Sequence, residues 1–250
     1  MTTDQFTDFG VSAAQYIDGT YLEKVQDWHV SDSAWKASKV LQMMEKNHLT
    51  FNSIYDIGCG AGQILVELQK KIKSDVTLAG FDISHQVIES AKSKENANLK
   101  FYCDDFLKAK VASADLILLL DVFEHVPDYL GFLDAMRKKT KWIIFHIPLD
   151  MCARDILRKS NYLLNTRKTY GHLHYFSKET ALATLSDLGY DVVDYSYTDD
   201  DEIQGKNALR GFKQRINYQI RKNMFRFNPG LAAAIFAHFN LMVFARGDQE

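Results

Sequence analysis

Between Phe51 and Tyr197 short apolar runs alternate with stretches of helical period. NSIYDI, VTLAGFD, LKFYC, ADLILLLD and KWIIFHI read as strands, whereas QILVELQKKI and the stretch through Val87, Ile88 and Ala91 read as helices, with another expected near Asp128. This alternation predicts a parallel sheet with crossover helices, and a run such as LILLL predicts a strand covered on both faces. Ser84 and Ser177 stand where N-caps belong, and Gly189 where the second of those helices stops. Beyond it DVVDYSYT alternates as a strand does, and NLMVFAR reads as a last strand antiparallel to it. The expected class is α/β, doubly wound. Residues 1–48, helical and rich in aromatics, form an N-terminal helical cap; residues 49–250 form the main domain, with a helical insertion at about 198–238.

Composition narrows the choice of partners. The 250 residues are 46% hydrophobic and 25% charged. A chain of that length buries roughly three quarters of its unfolded surface, so it needs neither a disulfide nor a metal to hold a core. Cys59, Cys103 and Cys152 lie far apart without CxxC spacing, which points to a reducing compartment. The first residues lack the basic and apolar regions of a signal peptide, and no apolar run approaches the ~20 residues of a membrane span. A soluble, cytoplasmic protein is expected. The net charge of −2 argues against a protein that coats nucleic acid. The charge is uneven, however: Ile203 to Gly247 holds eight bases and no acid. Within it Leu209, Phe212, Ile216, Ile220 and Met224 recur at helical spacing, so that 206–226 reads as a basic amphipathic helix: a lid over a pocket, a weak contact with a membrane surface, or a phosphate-contacting patch.

The most informative stretch is Tyr55-Asp56-Ile57-Gly58-Cys59-Gly60-Ala61-Gly62-Gln63, at the end of the first strand and the start of the first crossover helix. A side-chain-free turn there lets a ligand approach the backbone, while helix N–H groups point at it. The spacing is GxGxG with Gln63 following, not the GxGxxG of a dinucleotide fold, and Asp56 would repel a diphosphate but favour a cationic ligand. Asp82 ends the second strand 24 residues after Gly58, close to the ~20 at which an acid meets ribose hydroxyls. Cys103-Asp104-Asp105-Phe106 ends the third strand and Asp121-Val122-Phe123-Glu124-His125-Val126-Pro127 the fourth. Ligands bind at such carboxyl ends in open α/β sheets.

Together and in this order, DIGCGAG, Asp82, DDF, DVFEHVPD, WIIFHIP and GHLHYFS make the chain resemble the class I S-adenosylmethionine-dependent methyltransferases, especially the small-molecule branch with ubiquinone-biosynthesis-type enzymes. The resemblance covers about Phe51 to Arg246 and implies a Rossmann-like, mostly parallel seven-stranded sheet with an antiparallel last strand. It implies S-adenosyl-L-methionine as cofactor. By it, Asp56, Gly58, Gly60 and Gly62 with Gln63 hold the methionine part, Asp82 and Ile83 the ribose, Asp104 or Asp105 with Phe106 the adenine, while Asp121, Val122 and His125 wall the sulfonium end.

Displacement at a sulfonium needs alignment and exclusion of water more than a base, though a hydroxyl acceptor can lose its proton to a histidine. His146 and His172 are the first candidates, then His125; His174 and the N-terminal Tyr21, Trp28 and His29 are placed against the acceptor. The expected acceptor is a small molecule bearing a hydroxyl, such as a sugar, glycan precursor, quinone-like or lipid-linked compound. An RNA methyltransferase and a catalytically silent cofactor sensor are the alternatives, but the fourth strand lacks an NPPY-like turn, which makes nucleic acid a poor acceptor. No metal is expected, because a hard cation needs several converging oxygens and Asp121 with Glu124 is the one nearby acid pair.

Overall fold

A computed structural model of the chain describes residues 30–158, 161–204 and 211–248. Seven strands form one sheet: β1 (Ser53–Ile57), β2 (Thr77–Asp82), β3 (Leu99–Cys103), β4 (Ala114–Leu120), β5 (Thr140–Pro148), β6 (Asp191–Asp199) and β7 (Phe239–Arg246), in the order β3-β2-β1-β4-β5-β7-β6. All neighbours are parallel except at β7, which runs antiparallel to both β5 and β6. Helices α1 (Val30–Lys46), α2 (Gln63–Gln69), α3 (His85–Lys92), α4 (Tyr129–Arg137), α5 (Ala153–Leu157), α6 (Tyr162–Thr169) and α7 (Lys178–Asp187) precede or cross between strands. Helices α8 (Asp201–Gln204), α9 (Phe212–Phe227) and α10 (Pro229–Ile235) fill the connection from β6 to β7.

Strand periodicity builds two cores, one on each face. Ile117, Leu119, Ile143, Phe145, Ile147, Leu241 and Val243 point into one cluster. Leu116, Leu118, Leu120, Ile144, Met242 and Phe244 point into the other. Successive strand residues face opposite sides, so an uninterrupted apolar strand must have both faces covered. Helix α1 supplies part of the second cover: Ala37, Val40, Met43 and Met44 lie on one stripe and are buried there.

The helix starts differ in their chemistry. Ser177 caps α7 as expected, accepting from the Thr180 N–H while Thr180 answers it. Ser84 occupies the N-cap of α3, but its hydroxyl is buried without a hydrogen-bond partner. There the Asp82 carboxylate accepts from the Ser84 N–H at 2.9 Å instead. Asp82 therefore couples the end of β2 to the start of α3.

One buried cation ties the insertion to the sheet. The Arg221 guanidinium reaches Asp199 and Asp201 and donates to the His238 carbonyl at 2.7 Å, and it lies 4.1 Å from the Phe239 ring centre. Removing one partner of a buried ion pair leaves the other charge unpaired, a loss of roughly 3–5 kcal/mol. Arg221→Met is therefore expected to lower stability to urea by about 3 kcal/mol and to expose the α9 amides to exchange first. Unchanged exchange in α9 would contradict this anchoring.

Candidate active site

At the carboxyl ends of the parallel strands lies a cavity of about 1550 Å³. Single ligand pockets usually enclose ~300–1,000 Å³, so this one has room for a cofactor and an acceptor together. One wall is the loop after β1. Gly58, Gly60 and Gly62 all have positive φ there, and the Gly58 and Cys59 N–H groups donate to the Phe81 carbonyl at 2.8 and 3.1 Å. A Cβ on Gly58 would stand 2.8 Å from the Val122 side chain, and one on Gly62 would stand 2.2 Å from the Phe101 ring. Both positions thus exclude any larger residue, for different reasons: Gly58 lets the loop close against the β4 turn, and Gly62 lets α2 approach the sheet.

Of the residues named from the sequence, Gly58, Gly60, Gln63, Asp82, Ile83, Asp105, Asp121, Val122, His125 and His172 line the cavity. Asp82 also accepts from the Gly60 N–H at 2.9 Å, so it shapes the loop that it faces. Others stand elsewhere. Phe106 is turned into the core against Tyr55 and Phe81, and Leu107 lines the wall where a ring was expected. Asp104 is exposed outside the cavity. Asp56 is buried beneath the loop, with one carboxylate oxygen unpartnered, and does not line the wall. His174 braces the β4 turn, its Nε2 lying 2.9 Å from the Val126 carbonyl and its ring packed on Tyr129. Tyr21, Trp28 and His29 lie outside the described residues.

His146 requires the largest revision. It shares strand parity with Ile144 and so faces α1, away from the cavity. Its Nδ1 lies 2.6 Å from Asp121 Oδ1 and its Nε2 lies 2.8 Å from Thr198 Oγ1, with the Trp35 ring edge-on. Neither nitrogen is left to take an acceptor proton. It is a positioning residue for Asp121.

Sequence reasoning missed the residue on the other side of Asp121. Lys36 of α1, buried, lies 2.8 Å from Asp121 and 3.0 Å from Asp32. Burial opposes its charge, but those two carboxylates hold its proton more tightly than in water. Burial works against the Asp121 carboxylate as well, yet His146 and Lys36 hold it well below the usual carboxylate range. The only sequence sign was a lysine among the apolar positions of a helix.

The cavity wall also includes Glu124, His125, Asp150, Tyr162 and His172. Burial, with Asp121 and Asp150 nearby, pushes the Glu124 carboxyl well above its ordinary range, and neither of its oxygens has a hydrogen-bond partner. His172 Nδ1 lies 2.6 Å from Asp150 Oδ2, and Tyr162 donates to the other Asp150 oxygen at 3.1 Å. Asp150 thus fixes the tautomer of His172 and leaves Nε2 as its free ring nitrogen, the arrangement in which a carboxylate supports a histidine base. Ligand atoms of Glu124, His125 and His172 also lie within 4.8 Å of one another, a two-histidine, one-carboxylate set that a divalent cation could bridge and that the sequence reading did not anticipate.

The donor set fits the cofactor implied by the sequence. A loop with no room for side chains, Asp82 and Asp105 along the wall, and acids on β4 and the following turn provide acceptors for hydroxyls and amines and a favourable field for a sulfonium. Asp56 bears on the fold more than on the ligand. Burial first, then Asp82, raises its carboxyl to about 7, while Lys36 pulls the other way. A raised acid pKa means that the native state keeps a proton that the unfolded chain releases, so stability falls as pH rises from about 4 to 7 and levels off above. Denaturation midpoints of Asp56→Asn should therefore gain on wild type across that interval, and parallel curves would contradict the assignment.

Comparison with known proteins agrees with this geometry. Residues 28–195 match the family described as a methyltransferase domain. The carboxy-S-adenosyl-L-methionine synthase of Helicobacter pylori (strain J99 / ATCC 700824) is 37% identical over 75 residues, 29% of this chain and 31% of that protein. The ubiquinone biosynthesis O-methyltransferase of Paraburkholderia phymatum is 32% identical over 107 residues, 39% of this chain and 45% of that protein. The chain thus spans less than half the length of either relative. Among solved structures, the magnesium protoporphyrin IX methyltransferase of Synechocystis PCC 6803 superposes with a TM-score of 0.56 at 14% identity, over 89% of this chain and 86% of that one. The plantazolicin methyltransferase BamL does so with a TM-score of 0.56 at 17% identity, over 95% and 97%. The glycine loop against the β4 turn, the strand order with its antiparallel β7 and a family match over most of the chain place it in one family: the chain belongs to the class I S-adenosylmethionine-dependent methyltransferases.

Proposed function

We propose that the chain transfers a methyl group from S-adenosylmethionine to a hydroxyl of a small organic acceptor, with His172 taking the hydroxyl proton. The observation that carries this reading is the Asp150–His172 pair in the wall of the same cavity that the glycine loop lines. The cofactor, when bound, supplies a methyl carbon made electrophilic by the adjacent sulfonium. Asp82 and Asp105 are placed to orient its hydroxyls and amine, and the ionised Asp121 gives the β4 end of the cavity a negative field. Glu124, held neutral by burial, has a carboxyl proton to donate to an acceptor oxygen. His172 receives the acceptor proton at Nε2 while Asp150 stabilises the resulting imidazolium. The likeness to an O-methyltransferase of ubiquinone biosynthesis supports an oxygen acceptor of low molecular mass.

A second reading shares the same side chains. If Glu124, His125 and His172 held a divalent cation, the ion would supply Lewis-acid polarisation of an acceptor oxygen, and His172 would be a ligand, not a base.

Calorimetric titration of S-adenosylhomocysteine tests the cofactor end. Gly58→Ala should abolish binding, and Asp82→Asn should weaken it by ~1–3 kcal/mol, the scale of an unpaired buried polar group. Binding unaffected by both would remove the reading. At the acceptor end, His172→Gln and Asp150→Asn should each lower turnover by on the order of 10²–10⁴-fold with S-adenosylhomocysteine affinity unchanged. Turnover that survives a chelator supports His172 as the base; turnover lost to it and restored by a divalent ion supports the metal reading.

A further inference from the structure

Helix α9 has two faces that do different things. Arg221, Met224 and Phe225 turn inward, with Phe225 stacked on Phe239 at 4.8 Å between ring centres. Phe212, Ile216, Ile220 and Phe227 recur on the opposite side, and the two phenylalanines are 79% and 86% exposed. Lys213, Arg215, Lys222 and Arg226 flank that apolar stripe, and the helix contains no acid. Neighbouring helices add exposed apolar side chains, without charge on α10 and with Asp155 as well as Arg154 on α5. α10, packed on α9, exposes Leu231; α5, packed on α10, exposes Ile156 and Leu157, the latter 81% exposed, beside Arg154 and Arg158. Soluble surfaces seldom hold so many large apolar side chains together, and a rim of bases around them selects the partner.

We propose that the outer face of α9, continued by α10 and α5, docks on an anionic lipid bilayer. Apolar side chains edged by Arg215, Lys222 and Arg226 on one side and by Lys213 on the other fit the boundary of acyl chains and negatively charged headgroups, with the helix lying in the plane of the surface. A nucleic acid would use the bases but gains little from aliphatic side chains such as Ile216, Ile220 and Leu157. The inner face fixes where the cavity stands relative to that surface. Arg221 grips Asp201 and stacks over Phe239, and both of those residues line the cavity. The docking face is thus one helix thickness from the cavity rim. Among the described residues no helix is long and apolar enough to cross a membrane, so this would be contact with one leaflet.

The test is co-sedimentation of the full chain with vesicles of phosphatidylglycerol and phosphatidylcholine, against vesicles of phosphatidylcholine alone. Wild type should pellet with the anionic vesicles at least tenfold more, and ~1 M salt, which screens charges beyond about 3 Å, should release it. Phe212→Ser with Phe227→Ser, which keeps every charge, and Lys213→Glu with Arg226→Glu, which keeps the apolar stripe, should each cut binding by on the order of tenfold. Both double variants should keep the wild-type melting temperature and S-adenosylhomocysteine affinity, which separates failure of this docking from failure of the cofactor reading. Equal pelleting with neutral vesicles, no pelleting at low salt, or a phenylalanine variant that binds like wild type would overturn the proposal. So would binding of single-stranded RNA that displaces the vesicles and survives loss of the two phenylalanines, which would make the face a polyanion site.

Discussion

The pinning of Asp121 is the constraint on which the rest of the site depends. Its backbone turns left-handed at φ 57, a conformation that non-glycine residues rarely adopt, and the turn directs the chain from β4 across the mouth of the sheet. Such a conformation persists only when its surroundings hold it. Here Lys36 arrives from α1, His146 from β5, and behind His146 stands Thr198 of β6. Two otherwise separate parts of the chain therefore meet at one carboxylate, and a third braces the histidine behind it. Without them the following turn, with Val122 against Gly58 and Glu124 at the cavity, would lose its reference point.

The acids around the cavity differ because their neighbours differ. Asp121 keeps its charge because a lysine and a histidine reach it; Glu124, three residues later, has no hydrogen-bond partner and keeps its proton. Opposite protonation within one short turn gives a negative field at one point and a hydrogen-bond donor at the next. Asp150 adds a third behaviour, since Tyr162 and His172 consume its acceptor capacity and its role passes to the histidine ring. A cavity with several acids can in this way serve a cationic ligand and a neutral acceptor in separate regions.

The insertion between β6 and β7 uses charge in two ways. Arg221 is buried among Asp199, Asp201 and a carbonyl, where both of its terminal nitrogens find acceptors and α9 is locked to the sheet. The remaining bases of α9 stay at the surface around apolar residues. An excess of basic residues in one segment is therefore not one property. Its inner member is structural, and its outer members set what the surface can meet.

The fold could be read from the sequence because its determinants are local and periodic. LILLL implied double coverage, the alternation of runs implied crossovers, and the GxGxG turn after the first strand pointed to the end of the sheet where the cavity lies. Gly58, Asp82, Asp105 and His172 could be named since each sits at a strand end or turn whose position follows from that periodicity. Side-chain direction was decided elsewhere. Whether His146 faced the cavity or α1, and whether Phe106 covered a ligand or entered the core, depended on which sheet face each strand position met after packing. Lys36 and Asp150 became part of the site only through pairings across 85 and 22 positions of sequence, with Asp121 and His172. Chain pattern sets which elements form and in what order they cross; only the packed sheet brings distant charges within 3 Å, and with that decides which acids ionise and which histidine keeps a free nitrogen.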